Sequence, residues 1–512
     1  MSDPSRSLPE RPSLRYLKLE ARRRLAAGEF PTLHEAQLAI AREHGMSSWT
    51  ALKEFVGDSQ PEPEGAALSH VRWVTSRFAG AGQPGWSPPG GEELGEHFED
   101  SFLSRVTPDR LVSDLSSLAR GGGLRDEVTV LLDRPLVTRA QAGDVQIQAG
   151  AMPEPPHRLR GMAAYRVGEA VTDARLAAPP ADVAGDVPVK AVAVAEEVVG
   201  ELGLPGLALA SGDSDGRTWQ LARGWADLDR GEPLTTTHSF PAYALTTLIT
   251  ATAVLRLIAS RRLDLDGAAN DHLRTIRLAD DAVTVRDLLA HADGIAGPTP
   301  ALAETVPDLV ALTGPVLAST GARGTMAGGL GGYAALEALI ADVSGQPYPD
   351  AVARLVLDPL GMGSSWFPAR WPADGTPVVT GYQLDKEGAF RPAPAQVGTV
   401  RAATGLWTTT ADLLRFGLGW SSLLPGELAS EALRPQTSPL DGRAAVWGLG
   451  WRVNQTLGVA GQAGLSRGTS VSLVMRLDNR RIHVAMTNRS IPIEPVNGRV
   501  VRAIADDQEP ES

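Results

Sequence analysis

Residues 240–257 read FPAYALTTLITATAVLRL, and the fold is read outward from this stretch. Apolar residues recur at Ala244, Leu248, Ala251, Leu255 and Ile258, the 3.6-residue spacing of a helix that buries one face in a domain core. Just upstream, the apolar runs 206–210 and 218–224 flank Asp213-Ser214-Asp215-Gly216, a turn sequence, so a hairpin is expected to feed the helix. The residues in its first turn then decide what the chain can do.

At 512 residues the chain has room for two to four domains, each with its own core. A net charge of -12 argues against a nucleic-acid partner, because phosphate contacts need concentrated positive charge. Cysteine is absent, which excludes disulfides, thiolate metal sites and a cysteine nucleophile. No His-x-His or His-x-x-x-His spacing points to a metal. Neither a signal-like apolar core near Met1 nor a run of roughly 18 apolar residues is found, so no membrane span and a cytoplasmic location are expected.

Residues 12–57 read as three short helices, the second capped by Thr32 with Glu35 three residues on. The basic run Arg22-Arg23-Arg24 is flanked by Glu20 and Glu29 and reads as a solvated helix face. Gln60-Pro61-Glu62-Pro63-Glu64-Gly65 is a linker by composition. A helix is expected over 68–78, another opens at Thr107-Pro108 with Leu111, Leu115 and Leu118 inward, and alternating runs follow at 128–132, 145–147 and 159–164. This order predicts an antiparallel sheet packed on helices. His157 lies in a Pro-Pro-His turn and reads as structural. Ala, Pro and Asp crowd residues 174–188, where the last domain boundary is expected. The remainder runs from a hairpin through a helical middle to strands at 447–453, 470–477 and 482–488 and a final helix. An antiparallel sheet closed by both chain ends and covered by helices is expected there.

Three resemblances attach to these segments. HEAQLAIAREHGMSSWTALKEFV resembles a small helical module at the N-termini of many actinobacterial proteins, which implies docking or packing. SFLSRVTPDRLVSDLSSLA with MPEPPHRLRGM resembles the cystatin-like, steroid-isomerase-like domain of a β-lactamase-like protein from the clavulanic acid cluster. From Val187 to about Ala505, LGLPGLALA, RGWADLDRGEPLT, RLDLDGAANDHL, VTVRDLLAHADGI, VSGQPYPDAVARLVLDPLGM, ATGLWTTTADLLRF, WGLGW and VSLVMRLDNRRIHVAMTNRS resemble the serine β-lactamase, penicillin-binding protein and esterase family, class C-like branch.

The resemblance implies three reactive elements, and this chain departs from each. The family acylates a serine in Ser-x-x-Lys at a helix N-terminus, where the lysine can take the hydroxyl proton. Placing Phe240 and Thr250-Ala251-Thr252 on the family's pattern puts Ala244 at the serine and Thr247 at the lysine. No register error explains this, since Arg15, Thr50, Val187 and Gln383 stand three residues before Lys18, Lys53, Lys190 and Lys386. The family's Tyr-x-Asn aligns with Gly328, Gly329 and Leu330, anchored by Gly332-Tyr333. Its His/Lys-x-Gly aligns with Gln462-Ala463-Gly464, so the basic residue is lost and the glycine kept. Loss of a nucleophile alone lowers kcat by about a million-fold.

Other catalytic readings fare worse. Gly464-Leu465-Ser466-Arg467-Gly468 matches G-x-S-x-G, with Asp478 and His483 following, but that motif needs a strand, a sharp turn and a helix, whereas 469–477 reads as a strand. Tyr243, Thr246 or Thr247 with His238 as base lacks any group to acidify a hydroxyl. His291, in His-Ala-Asp-Gly, reads as structural.

The expected architecture is therefore α+β: a helical module over 1–58, a cystatin-like domain over 66–172 and a β-lactamase-like domain over 187–507. The leading functional expectation is a catalytically degenerate member whose cleft, lined by Tyr243, Ala244, Thr247, Gln462 and Gly464, binds a small molecule or protein, with no catalytic residue, cofactor or metal. Two alternatives stand beside it: a hydrolase or acyl transferase with rearranged chemistry, and a small-molecule binder or isomerase acting through the middle domain.

Overall fold

The computed structural model describes residues 65–505 except 120–122, 135–136, 153–154, 167–173, 177–180, 296, 299–300, 320–322, 325–329, 373–375, 386–387, 438–445 and 456, together with 24, 30, 32–43 and 49. It divides into two compact units, residues 1–166 and 167–512.

In the first unit, helix α1 (Leu33–Glu43) starts where Thr32 was expected to cap it: the Glu35 amide donates to Thr32 Oγ1 at 3.2 Å. The other helices expected over 12–57, and Arg22 and Arg23, lie outside the described residues. Four helices follow, α2 (Ala66–Phe78), α3 (Gly91–His97), α4 (Asp100–Arg105) and α5 (Pro108–Ala119). An antiparallel meander comes next: β1 (Thr129–Arg134), β2 (Val137–Ala142), β3 (Val145–Ala151) and β4 (Leu159–Arg166). Strand β2 escaped the sequence reading because VTRAQA alternates small and polar residues with little apolar bulk. Its inward positions Ala140 and Ala142 nonetheless join Val145, Ile147 and Ala149 of β3 in one core with Val71, Val74 and Phe78 of α2. His157, with φ 60°, closes the β3–β4 turn by bonding Met152 O at 3.0 Å, as its turn position implied.

The second unit is a three-layer sandwich. Strand β5 (Asp182–Gly185), helix α6 (Val189–Glu201) and the hairpin β6 (Gly206–Gly212) and β7 (Thr218–Asp227) come from the start of the unit. Five strands come from its end: β8 (Val446–Trp447), β9 (Arg452–Asn454), β10 (Val459–Ser466), β11 (Thr469–Arg476) and β12 (Ile482–Thr487), followed by helix α12 (Glu494–Ala505). They join as β8-β9-β10-β11-β12-β6-β7-β5, with the two-residue strand Glu232–Pro233 also on β7. The stretch read as a boundary at 174–188 thus supplies an edge strand, β5. Alternate residues of β6 divide the layers: Leu207 and Leu209 face α6 and α12, while Ala208 and Ala210 face the larger core.

That larger core is built around helix α7 (Thr246–Ala259). The stretch 240–257 does not form one helix. Phe240–Pro241 pairs with Trp407–Thr408, and Tyr243–Leu245 makes a single 3-10 turn before α7 begins. Nor does α7 bury only one face: every residue from Thr246 to Leu255 is buried. Its buried polar positions are threonines, of which Thr250 and Thr252 return their hydroxyls to the helix, to Thr246 O at 3.2 Å and Leu248 O at 2.9 Å, so the helix can pass through the core as an apolar rod. Around it lie α8 (Val285–Leu289), α9 (Gly331–Ser344), α10 (Arg401–Thr404) and α11 (Thr410–Gly419).

Candidate functional site

The site expected at the head of α7 forms where its first turn meets strand β10. Strand β9 pairs with β10 only as far as Gly461, so from Gln462 to Ser466 the outer edge of β10 has no partner strand among the described residues and lies beside the turn at Tyr243–Leu245. A Cβ on Gly464 would fall 2.4 Å from Ala242 O and 3.1 Å from Ala244 N, so only glycine admits this approach. Gly464 and Gln462 face the turn, whereas Leu465 points the other way and is exposed.

The expected pocket residues converge, but they are not equally open. Ala244 is half-buried. Tyr243 adopts a left-handed backbone, φ 44°, and is buried. Burial pushes its phenol up, against the opposing pull of the Thr469 and Ser466 hydroxyls, so it stays protonated. Thr247 is buried and donates its hydroxyl to Ala244 O at 2.8 Å. Thr246 accepts the Leu406 amide at 3.2 Å. Gln462 is buried and accepts the Ala463 amide at 3.0 Å. Thr246, Thr247 and Gln462 are thus engaged with backbone and the Tyr243 phenol with the Thr469 and Ser466 hydroxyls.

The salvage readings separate in space. His238 is held by Glu232 at 3.0 Å and by the Thr235 amide at 3.1 Å. Ser466 ends β10, and Thr469 opens β11 after a tight turn, so the strand–turn–helix of a hydrolase elbow is absent. His483 Nδ1 meets Ser211 Oγ at 3.1 Å instead, and Asp478 is paired with Arg476. Among the described residues no group of three or more His, Cys, Asp or Glu is placed to hold a metal ion. No helix among them is long and apolar enough to cross a membrane.

The corner where the family's Tyr-x-Asn would stand is the least anticipated part. Gly328 and Gly329 lie outside the described residues. Leu330 is half-buried at the start of α9, whose first turn has no side-chain cap. Asp293 reaches this corner from the loop after α8: a Cβ on Gly332 would sit 2.2 Å from Asp293 Oδ2. Asp293 is buried, with Oδ1 accepting the Ile295 amide at 2.8 Å. Burial pushes its carboxyl up to about 6, and the nearby Asp287 charge adds to this. Beside it His291 stacks on Tyr333 at 4.6 Å and Trp447 at 4.0 Å. Its Nε2 is buried without a partner, and burial holds the ring down to about 3. The structural role expected of His291 fits this neutral, stacked ring. The sequence signal missed was Asp293 itself, an acid inside the apolar run LLAHADGI.

Residues 191–506 match the β-lactamase family model. The fold is similar to that of an octameric penicillin-binding protein homologue from Pyrococcus abyssi, at 20% identity and TM-score 0.54, over 63% of this chain and 78% of that one. It is similar also to D-amino acid amidase from Ochrobactrum anthropi SV3 complexed with L-phenylalanine amide, at 20% identity and TM-score 0.52, over 62% and 99%. A class C β-lactamase matches at 19% identity and TM-score 0.50, over 63% and 96%. With more than half of its residues matched, the three-layer sandwich and its site at the head of α7 come to one conclusion: this chain belongs to the β-lactamase family.

Proposed function

We propose that this member of the family binds a ligand in its cleft and does not carry out acyl transfer. One observation carries the reading: at the head of α7, Ala244 has no nucleophile and Thr247 spends its hydroxyl on the Ala244 carbonyl. An uncharged threonine so bonded cannot deprotonate a neighbour or attack a carbonyl. Gln462, bonded to its own strand, removes the second basic position. The framework is kept meanwhile, down to the close approach of Gly464 and Ala242. The neighbours include a protein complexed with an amino acid amide and penicillin-binding proteins, which supports an amide or small amino-acid derivative as ligand. The helices and meander of 66–166 support the cystatin-like reading of that unit, which would supply a second ligand or partner surface.

The test is to incubate the full chain with a chromogenic ester, a cephalosporin and a fluorescent penicillin, following turnover and intact mass. Neither turnover nor an adduct is expected. Turnover that disappears on mutating Tyr243 or Thr247 would overturn the proposal in favour of rearranged catalysis.

A further inference from the structure

We propose that the ligand of this cleft carries an ammonium group, held by Asp293 at the corner between the α8 loop and the start of α9. This rests on the binding reading above and names the chemical class of the ligand. The first ground is charge. The two positions where the family's basic residues would stand hold Thr247 and Gln462, and the one Lys or Arg in 288–353, Arg323, is paired with Asp287 at 2.7 Å. A ligand carboxylate would thus find no cation there, among the described residues, that is not already matched by an acid.

The second ground is Asp293. It is 5% exposed, and among the described residues its one hydrogen-bond donor outside its own residue is the Ile295 amide. Oδ2 abuts Gly332, where the missing Cβ leaves it room. Buried carboxylates in proteins are normally met by a cation or several donors, since an unmatched buried charge is strongly destabilising. The groups facing Asp293 do not supply the match. From α8 come Asp287, already paired with Arg323 at 2.7 Å, and the neutral ring of His291; from α9 comes the neutral phenol of Tyr333. The partial positive charge at the uncapped start of α9 helps, yet the carboxyl is still displaced upward. An ammonium group on Oδ2 would complete the pair, and the half-buried rings of His291 and Trp447, with centroids 4.0 Å apart, are aromatic groups near it.

Isothermal titration of the full chain with 2-phenylethylamine and with 3-phenylpropionate, a pair differing in the sign of charge, tests this. At pH 7.5 the amine is expected to bind and the carboxylate not. Between pH 7.5 and pH 5 amine affinity is expected to fall about tenfold, as a carboxyl near 6 becomes protonated while the amine stays charged. Asp293→Asn is expected to abolish amine binding at both pH values. Equal binding of the two probes, binding of neither, or amine affinity indifferent to Asp293→Asn would overturn the proposal. Should the variant not fold, the pH dependence of the unmodified chain decides alone. A covalent mass adduct with the penicillin or cephalosporin would sink the binding reading instead and is read independently of these titrations.

Discussion

Two buried carboxyls stand at α9, one on it and one against its start, and they are treated differently. Glu337, on the body of the helix, accepts the Arg401 guanidinium at 3.2 Å and the Ala402 amide at 3.1 Å. Asp293, at the helix start, has one amide from its own loop and no cation among the described residues. Burial pushes both carboxyls up, but only Glu337 has a charge to offset it. Thr250, between Tyr348 Oη at 2.7 Å and Ala402 O at 2.6 Å, is as fully engaged as Glu337, while Asp293 accepts the Ile295 amide alone among the described donors outside its own residue. Neutral groups such as Trp420 Nε1 and Trp451 Nε1 are also buried without a partner among the described residues, but an under-paired carboxylate costs far more than an indole N–H, which is what separates Asp293 from Glu337.

The largest way to break this comparison is Glu337→Ala. It strands the Arg401 charge and the Ala402 amide between α9 and α10 and is expected to cost about 3–5 kcal/mol. Chemical denaturation would show a lower midpoint with the slope unchanged. Thr250→Val orphans the Tyr348 hydroxyl and should cost about 1–3 kcal/mol in the same experiment. Asp293→Asn should go the other way and stabilise the free chain at pH 7.5 by about 1–2 kcal/mol, because it removes an under-paired charge. The pH dependence has a definite sign. With its folded value raised to about 6 and its unfolded value near 3.8, Asp293 makes the folded state bind more protons between these values. Stability from this group therefore rises as pH falls from 6 toward 3.8, and the gain from Asp293→Asn should vanish by about pH 4. His483 has the opposite sign: burial holds it down to about 4, so its contribution is lost as pH falls from 6.5 toward 4. Following melting temperature of both forms across pH 4–8 separates the two. The smallest effect is expected from Ala244→Ser with Thr247→Lys, which should leave ester turnover at background while Leu330 and Gln462 stay as they are.

How much of this was legible in the sequence depends on the kind of signal. The hairpin β6–β7, strands β11 and β12 and the start of α5 came from local patterns, turn residues and apolar alternation that act over a few positions. The strand expected over 447–453 is instead two short ones, β8 and β9, folded back on each other through a turn at 448–451. Family motifs put Ala244, Thr247, Gln462 and Gly464 into one cleft, and the structure brings them together. The start of α7 was misplaced because Phe240 and Pro241 pair with Trp407 and Thr408, a partner more than 160 residues away that no local window sees. For the same reason α7 was expected to have a solvent face. Its all-round burial follows from the helices and sheet that enclose it, not from its own spacing. Tyr243 was counted as cleft surface, yet its left-handed backbone turns it under the β10–β11 hairpin. Asp293 went unread since its significance lies in what is missing nearby, and an absent partner is visible only once the neighbours are in place.

The contact at Gly464 sets a rule for anyone redesigning the protein. Because the edge of β10 and the turn at Ala242 meet backbone to backbone, the width of the cleft is fixed by main chain, not by side chains that could be swapped. New binding preferences should therefore be sought at Ala244, Gln462 and Leu330, which alter the lining of a slot of constant gauge. A side chain at position 464 would change the gauge itself, wedging strand from helix and unseating the central rod of the fold.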